Sequence, residues 1–269
     1  MDTARFEAAR AALLAARQNA RAIAPWPAEW QPGDIDEACR LQSAVANEQG
    51  PIGGWKIAAV TDAQRRALGI DQPIAAPIPS RWMRDADTGA ADLRVADFVA
   101  AKLECEFAFE LRRDLPARPG RPYSRDEVQD AIACLRLAIE VVDSRLPAGS
   151  GTLAELADAF NNGALVCGRA VHDWHQLDFA ATRITLHAHR DGEQAASELA
   201  LGSGAAILDG DPFGTVVILA NAQRAGSPGL RAGHVVTTGS CTGAPYLPGP
   251  GRYRAEFAGL GSVELRFLA

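Results

Sequence analysis

Lysine is almost missing from this chain. Of its 27 basic residues only Lys56 and Lys102 are lysines. Arginine stays charged in a protein while lysine can change protonation, so each exception raises the question of a role. Long apolar runs are missing too: no stretch of about 20 uninterrupted apolar residues exists, so no segment is expected to span a membrane. Residues 2–21 are rich in alanine but repeatedly charged, and lack the apolar heart of a signal peptide. Positive charge is in deficit. The net charge is -6 and the pI about 5.4, which leaves no cationic field to attract nucleic acid or an anionic membrane. The five cysteines (39, 105, 134, 167 and 241) are odd in number and widely spaced. They offer neither a disulfide framework nor a zinc signature, and a reducing cytoplasm is the expected setting. No histidine precedes His172, and internal repeats are absent.

What is present is ordinary for a folded protein. Hydrophobic residues make up 48% and charged residues 22% of 269 positions. That excludes wholesale disorder and fits one large domain, or one domain behind a small helical preface.

The first fifty residues read as helical. Phe6, Ala9, Leu13, Ala16 and Ala20 recur at helical spacing over 2–21, and Asp34 is placed to cap a second helix over Ile35–Gln49. Residues 1–52 are therefore expected to form an N-terminal helical region, followed by a main domain over 53–269. Gly53-Gly54-Trp55-Lys56-Ile57-Ala58 suggests a short strand, and 63–69 one or two helical turns. The stretch carrying Pro73, Pro77 and Pro79 reads as too interrupted for regular structure. Residues 102–111 alternate with period two, Leu103, Cys105, Phe107, Phe109 and Leu111 on one face and Lys102, Glu104, Glu106, Ala108 and Glu110 on the other. Ser124 and Glu127 form a capping box for a helix expected to reach Arg136, with a buried strand at 137–142. Strands are expected at 164–171, 181–190, 197–201, 234–238 and 262–268, with a helix at about 212–225. Helices early, strands late and no βαβ alternation predict an α+β fold.

The strongest chemical constellation is carboxylate. Glu104 and Glu106 must share one side of their strand. Alternation alone favours a solvated sheet face. Glu140 alters the balance: it sits in Ala138-Ile139-Glu140-Val141-Val142 with no polar neighbour. Such a carboxylate is expensive to bury unless paired or bound to a cation. Three carboxylates with room for water suit a hard cation, Mg²⁺ or Mn²⁺. An ion pair of Glu140 with Arg136 or Arg145 is the competing arrangement. Lys56, between Trp55 and Ile57, is either an ordinary surface lysine or a charge donor facing a polarised carbonyl.

Other patterns carry less. His187 and His189 share a strand face and His172 and His175 share a turn, without the further ligands zinc needs. Gly202-Ser203-Gly204 lacks the rest of a dinucleotide fingerprint. Gly239-Ser240-Cys241-Thr242-Gly243 has the outline of a nucleophile elbow, but no histidine follows residue 234 to serve it.

Taken in order, Gly54-Trp55-Lys56-Ile57, Leu68-Gly69-Ile70-Asp71-Gln72-Pro73, Glu104-Cys105-Glu106-Phe107-Ala108, Ile139-Glu140-Val141-Val142-Asp143-Ser144-Arg145, Val216–Asn221, Leu230-Arg231-Ala232-Gly233 and Thr237-Thr238-Gly239-Ser240 resemble a known family. It is the 2-keto-4-pentenoate hydratase and 4-oxalocrotonate decarboxylase group of the fumarylacetoacetate hydrolase superfamily. The resemblance spans nearly the whole chain and is densest between 53 and 243.

The resemblance implies a mixed β-roll with a small N-terminal helical region, assembled as a homo-oligomer. It implies Glu104, Glu106 and Glu140 as metal ligands for Mg²⁺ or Mn²⁺ and Lys56 as the active-site lysine. Asp71 would be an acidic catalytic residue on a loop beside the substrate, and Ser240 would lie near the substrate carboxylate. Asn161 stands where relatives often carry serine in a substrate loop. His234 replaces a common aspartate, and Ala58-Ala59-Val60-Thr61 replaces a G-L-T pattern. The implied activity is hydration of a 2-hydroxy-2,4-dienoate to a 4-hydroxy-2-oxo acid, in catabolism of aromatic meta-cleavage products. Decarboxylation of 2-oxo-3-hexenedioate is the alternative on the same scaffold. Acylpyruvate hydrolysis characteristically uses an upstream histidine, which this chain lacks. A non-catalytic partner subunit would have no need of the full Glu and Lys set.

Overall fold

A computed structural model describes residues 1–223 and 229–269. Its helices are α1 (Thr3–Gln18), α2 (Ile35–Asn47), α3 (Asp62–Leu68), α4 (Arg125–Gln129), α5 (Thr152–Ala157) and α6 (Pro212–Ala222). Its strands are β1 (Ile52–Ala58), β2 (Ile74–Pro79), β3 (Met83–Asp85), β4 (Ala91–Arg94), β5 (Lys102–Leu111), β6 (Ile132–Val142), β7 (Asn162–Val171), β8 (Arg183–Arg190), β9 (Ser197–Ser203), β10 (Val235–Thr237), β11 (Gly251–Phe257) and β12 (Gly261–Leu268). Helices begin where the sequence supplies caps. Asp2 and Asp34 accept backbone N–H bonds at the starts of α1 and α2, and Thr61 with Gln64 and Ser124 with Glu127 form capping boxes. No helix among the described residues is long and apolar enough to cross a membrane.

The strands form two mixed sheets. One runs β2-β1-β10-β5-β6-β7-β3, the other β4-β12-β11-β8-β9. Most pairs are antiparallel, while β1 with β10, β3 with β7 and β4 with β12 are parallel. The main core lies between the sheets. Leu103, Cys105, Phe107, Phe109 and Leu111 of β5 pack with Leu186, Tyr253, Phe257 and Phe267 of the smaller sheet. Phe107 meets Phe257 edge-on at a ring separation of 5.3 Å.

The larger sheet curls, so that β2 approaches β7. Its other face is thereby enclosed, with Ile78, Ala108, Ala138, Leu165, Cys167 and Val235 buried against one another. The alternating second face of β5 is therefore the inside of a roll and not a solvated surface. Close strand approach inside the roll needs glycine. A Cβ on Gly54 would lie 2.4 Å from the Val235 carbonyl oxygen, so only glycine lets β1 and β10 pair at this point. The helical lead-in covers one end of the roll. Ala9, Leu13, Ala38, Leu41 and Val45 share a cluster with Ala59, Ile74, Leu146, Ala154 and Leu156.

Several expectations need correction. The helix expected from Ser124 to Arg136 stops at Gln129, and residues 132–136 are strand. Pairing with β5 on one side and β7 on the other outweighs the helical start signal. The proline-bearing stretch contains β2, which tolerates Pro77 and Pro79 because it lies at the sheet edge. Strands β3, β4 and β11 fall outside the segments expected to be strand. The helix expected to end near 225 is described to Ala222, and residues 224 and 225 lie outside the described residues.

Candidate metal centre

Two adjacent strands carry three carboxylates to one point inside the roll. Glu104 on β5 pairs directly across from Glu140 on β6, and Glu106 follows two residues later on the same face. One oxygen from each can be chosen so that all three lie within 4.8 Å of one another. Glu140 is fully buried, Glu106 is 1% exposed and Lys56 7%. Lys56 reaches in from β1, its Nζ 2.8 Å from Glu140 Oε1.

Two of the carboxylates are held by donors around them. Glu106 Oε2 accepts the backbone N–H groups of Thr238 at 3.0 Å and Gly239 at 2.7 Å. Glu140 Oε1 also accepts a long bond from Asn162 Nδ2 at 3.5 Å. Glu140 Oε2 is buried with no hydrogen-bond partner among the described residues. A wholly buried carboxylate oxygen without a donor is costly, and its usual explanation is a missing cation or water.

The charges agree. Burial, and then the nearby Glu140 charge, push the Glu104 carboxyl up to about 7. Burial, then Glu140 and Glu104, likewise raise Glu106 well above the usual carboxylate range. Burial acts to lower the Lys56 pKa, but the attraction of Glu140 and Glu104 outweighs it and the net direction is up. Three carboxylates and one ammonium leave two negative charges uncompensated when all are ionised. A hard divalent cation with oxygen ligands has the matching charge and donor preference. Among the described residues no other cluster of three such groups meets the same test.

The rival ion pairs for Glu140 do not form. Arg136 pairs with Asp85 at 2.9 Å and Arg145 with Asp158 at 2.9 Å. Sequence reading missed two residues behind the site. Arg17, buried on α1, donates to Asn162 Oδ1 at 3.0 Å and Gly163 O at 3.1 Å. That fixes the Asn162 amide with its NH₂ toward Glu140. Burial, and then the neighbouring Arg145 charge, pull Arg17 down to about 9. Arg17 is not one of the apolar positions that helical spacing marks over 2–21. The available hint was its place one residue after Ala16 and four after Leu13, on the margin of the apolar stripe.

The loop before β7 is strained. Ala159, Phe160 and Asn161 all have left-handed φ (52°, 45° and 62°), an arrangement that clusters at functional sites. Phe160 places its ring 6.0 Å from Lys56 Nζ. Asn161 Oδ1 is buried and has no partner among the described residues. Ser240 follows Gly239 and donates its hydroxyl to Gly243 O at 2.8 Å. Asp71 is exposed, in a depression of about 920 Å³ that it shares with Arg66, Ile70 and Thr152. Among the described residues no hydrogen bond or ion pair joins the side chains of Asp71, Asn161 or Ser240 to the carboxylate cluster, whereas Lys56, Glu104, Glu106 and Glu140 are brought together.

Three of the five histidines have partners away from the carboxylates. His234 Nδ1 accepts from Trp55 Nε1 at 3.2 Å and from Arg231 N at 3.1 Å, and burial lowers its pKa. It is a neutral brace behind β1, on the strand face opposite Lys56. His187 lies 3.6 Å from Glu256, and His189 Nε2 meets Glu193 O at 3.0 Å.

No family model matches the chain. A curated 2-keto-4-pentenoate hydratase of Burkholderia vietnamiensis is 32% identical over 264 residues, covering 96% of this chain and 95% of the relative. A 4-oxalocrotonate decarboxylase of Pseudomonas putida is 26% identical, covering 81% of this chain and 78% of the relative. Among solved structures, the 4-oxalocrotonate decarboxylase of Pseudomonas putida G7 complexed with magnesium and adipate superposes with a TM-score of 0.83. It is 21% identical, with 100% and 99% of the two chains covered. That likeness bears out the mixed roll with a helical N-terminal region.

Proposed function

The chain belongs to the 2-keto-4-pentenoate hydratase family, and on that premise we propose that it is a hydro-lyase adding water to a 2-hydroxy-2,4-dienoate of the 2-oxo-4-pentenoate type. The product is a 4-hydroxy-2-oxo acid, as catabolism of aromatic meta-cleavage products requires. The observation that carries this reading is the buried set of Lys56, Glu104, Glu106 and Glu140, with its unpartnered carboxylate oxygen.

Glu104, Glu106 and Glu140 would hold Mg²⁺ or Mn²⁺. Such an ion, when bound, would supply Lewis-acid polarisation of the substrate. The remaining work falls to side chains. Lys56, kept an ammonium by its carboxylate neighbours, places positive charge where the C2 oxygen gains negative charge as the dienol becomes a ketone. In that change the proton on the C2 oxygen leaves and C5 gains one. Water oxygen then bonds to C4, and C3 takes a proton. Thr238 and Gly239 hold the Glu106 carboxylate in place through their N–H groups. Ser240 and Asn161 serve as substrate-binding groups, and Asp71 as the acid–base residue for the far end of the chain. We further read residues 1–52 as the helical lead-in, 53–269 as the catalytic part, and the protein as a cytoplasmic homo-oligomer.

One assay tests the reaction. The protein is incubated with 2-hydroxypenta-2,4-dienoate and, separately, 2-oxo-3-hexenedioate, each with Mg²⁺, while dienol absorbance and CO₂ are followed. Loss of dienol without CO₂ is expected. CO₂ from the dicarboxylate would instead favour the decarboxylase reading that the 26% identical relative raises.

A further inference from the structure

Thr237 is a polar residue of the roll interior that the scheme above leaves without a task. It ends β10, is 1% exposed, and its Oγ1 is buried with no hydrogen-bond partner among the described residues. Its neighbour Thr238 is fully engaged, its hydroxyl donating to Phe107 O at 2.8 Å and its N–H to Glu106. A threonine buried for packing alone would satisfy its hydroxyl on a nearby carbonyl, as Thr215 does on Pro212 O at 2.6 Å.

Strand register says where this hydroxyl lies. Val236 enters the core between the sheets, whereas Val235 lies on the enclosed face with Ala108 and Ala138. Thr237, two residues after Val235, shares that enclosed face. Its direct partner on β5 is Ala108, and Glu106 precedes Ala108 by two on the same face. On the other side β1 runs parallel, with Gly54 beside Val235 and Trp55 beside Val236. The next rung places Lys56 beside Thr237. The unpaired hydroxyl thus sits on the strand between the lysine and the carboxylate that define the site.

Its neighbours already have partners. Lys56 Nζ pairs with Glu140 Oε1, and Glu106 Oε2 accepts two backbone N–H groups. What the hydroxyl lacks is an acceptor, and the alkene carbons of a dienoate provide none. We propose, resting on the hydratase reading above, that Thr237 is a substrate-binding residue. Its Oγ1–H donates a hydrogen bond to an oxygen at the C1–C2 end of a 2-oxo or 2-hydroxy acid, beside Lys56. It selects for acids bearing an oxygen at C2 over enoates that lack one.

The test compares Thr237→Val, which keeps the shape without the hydroxyl, with Thr237→Ser, which keeps the hydroxyl. Binding of 2-oxopentanoate, a saturated analogue, is measured by calorimetry on Mg²⁺-loaded protein, alongside Mg²⁺ affinity, melting temperature and turnover of 2-hydroxypenta-2,4-dienoate. Thr237→Val should bind the analogue about 10- to 100-fold more weakly, the usual effect of losing a hydrogen bond to a charged acceptor. Its Mg²⁺ affinity should be unchanged and its melting temperature equal or higher, because an unpaired buried hydroxyl has been removed. Thr237→Ser should recover most of the analogue affinity. Wild-type analogue affinity in Thr237→Val overturns the proposal, as does a Thr237→Ser protein as weak as Thr237→Val, since that would make the methyl group responsible. A wild type that binds 2-oxopentanoate but hydrates no dienoate removes the hydratase reading, while the binding comparison still decides Thr237. A wild type that binds no 2-oxo acid removes both.

Discussion

Lys56 Nζ lies 2.8 Å from Glu140 Oε1, and both side chains are almost wholly shut away from water. The two carboxylates beside this pair, Glu104 and Glu106, are forced toward their protonated forms by burial and by the repulsion of neighbouring carboxylates. The pair therefore forms a centre that a divalent cation would complete and relax.

The lysine is the most direct test. Lys56→Met keeps most of the stem and removes the charge, and should lower kcat on the dienoate by about 10²–10³-fold. Mg²⁺ affinity should stay or rise, because a nearby positive charge has gone. Lys102, whose ammonium lies over the Tyr246 ring at 4.7 Å, is the control, and Lys102→Met should turn over almost normally. Equal losses in both variants would point to a general charge effect.

Glu106→Gln preserves the acceptor for Thr238 and Gly239 but loses the charge. Its fold should persist by circular dichroism. Its Mg²⁺ affinity should fall by at least the roughly 10–100-fold seen for supporting residues of metal sites. Calorimetric titration with Mg²⁺ reads this directly, and an unchanged affinity would remove Glu106 from the site.

Stability of the metal-free protein should depend on pH in a defined direction. Glu104 holds its proton more tightly folded than unfolded, at about 7 against an ordinary 4.5. The folded state then binds more protons between those values, so stability is greatest at the acid end and declines as pH rises through the window. Melts in EDTA should show this fall, and Glu104→Gln should lessen it. Saturating Mg²⁺ should raise the melting temperature most at the upper end, where the carboxylates are ionised. A slope unchanged by the substitution would assign the effect to other groups.

Arg17 ties the helical lead-in to the centre. Arg17→Met removes both of its hydrogen bonds, to Asn162 and Gly163, and should destabilise the fold by about 1.5–3 kcal/mol. It should also weaken Mg²⁺ binding by about tenfold, because Asn162 loses the group that orients it toward Glu140. A variant that melts earlier yet binds Mg²⁺ as tightly as wild type would confine Arg17 to a packing role.

Local pattern alone determined a good deal here. Period-two alternation put Glu104 and Glu106 on one side of β5, and the apolar run around Glu140 marked a carboxylate in need of a partner. Side-chain direction along one strand follows from backbone geometry, so a window of a few residues carries it. The same windows placed the helix starts, because a cap acts on N–H groups two or three residues away. Tertiary structure alone decided which cation meets Glu140. Arg136 and Arg145 are near it in sequence, yet Lys56 reaches it because β1 joins the sheet through β10 and the sheet curls. It also turned residues 132–136 from helix into strand, made a strand of the proline-bearing segment, and brought Arg17 to Asn162. Each of these depends on a register between segments far apart in the chain. Such a register is set by burial and hydrogen bonding over whole sheets, not by any one segment's composition.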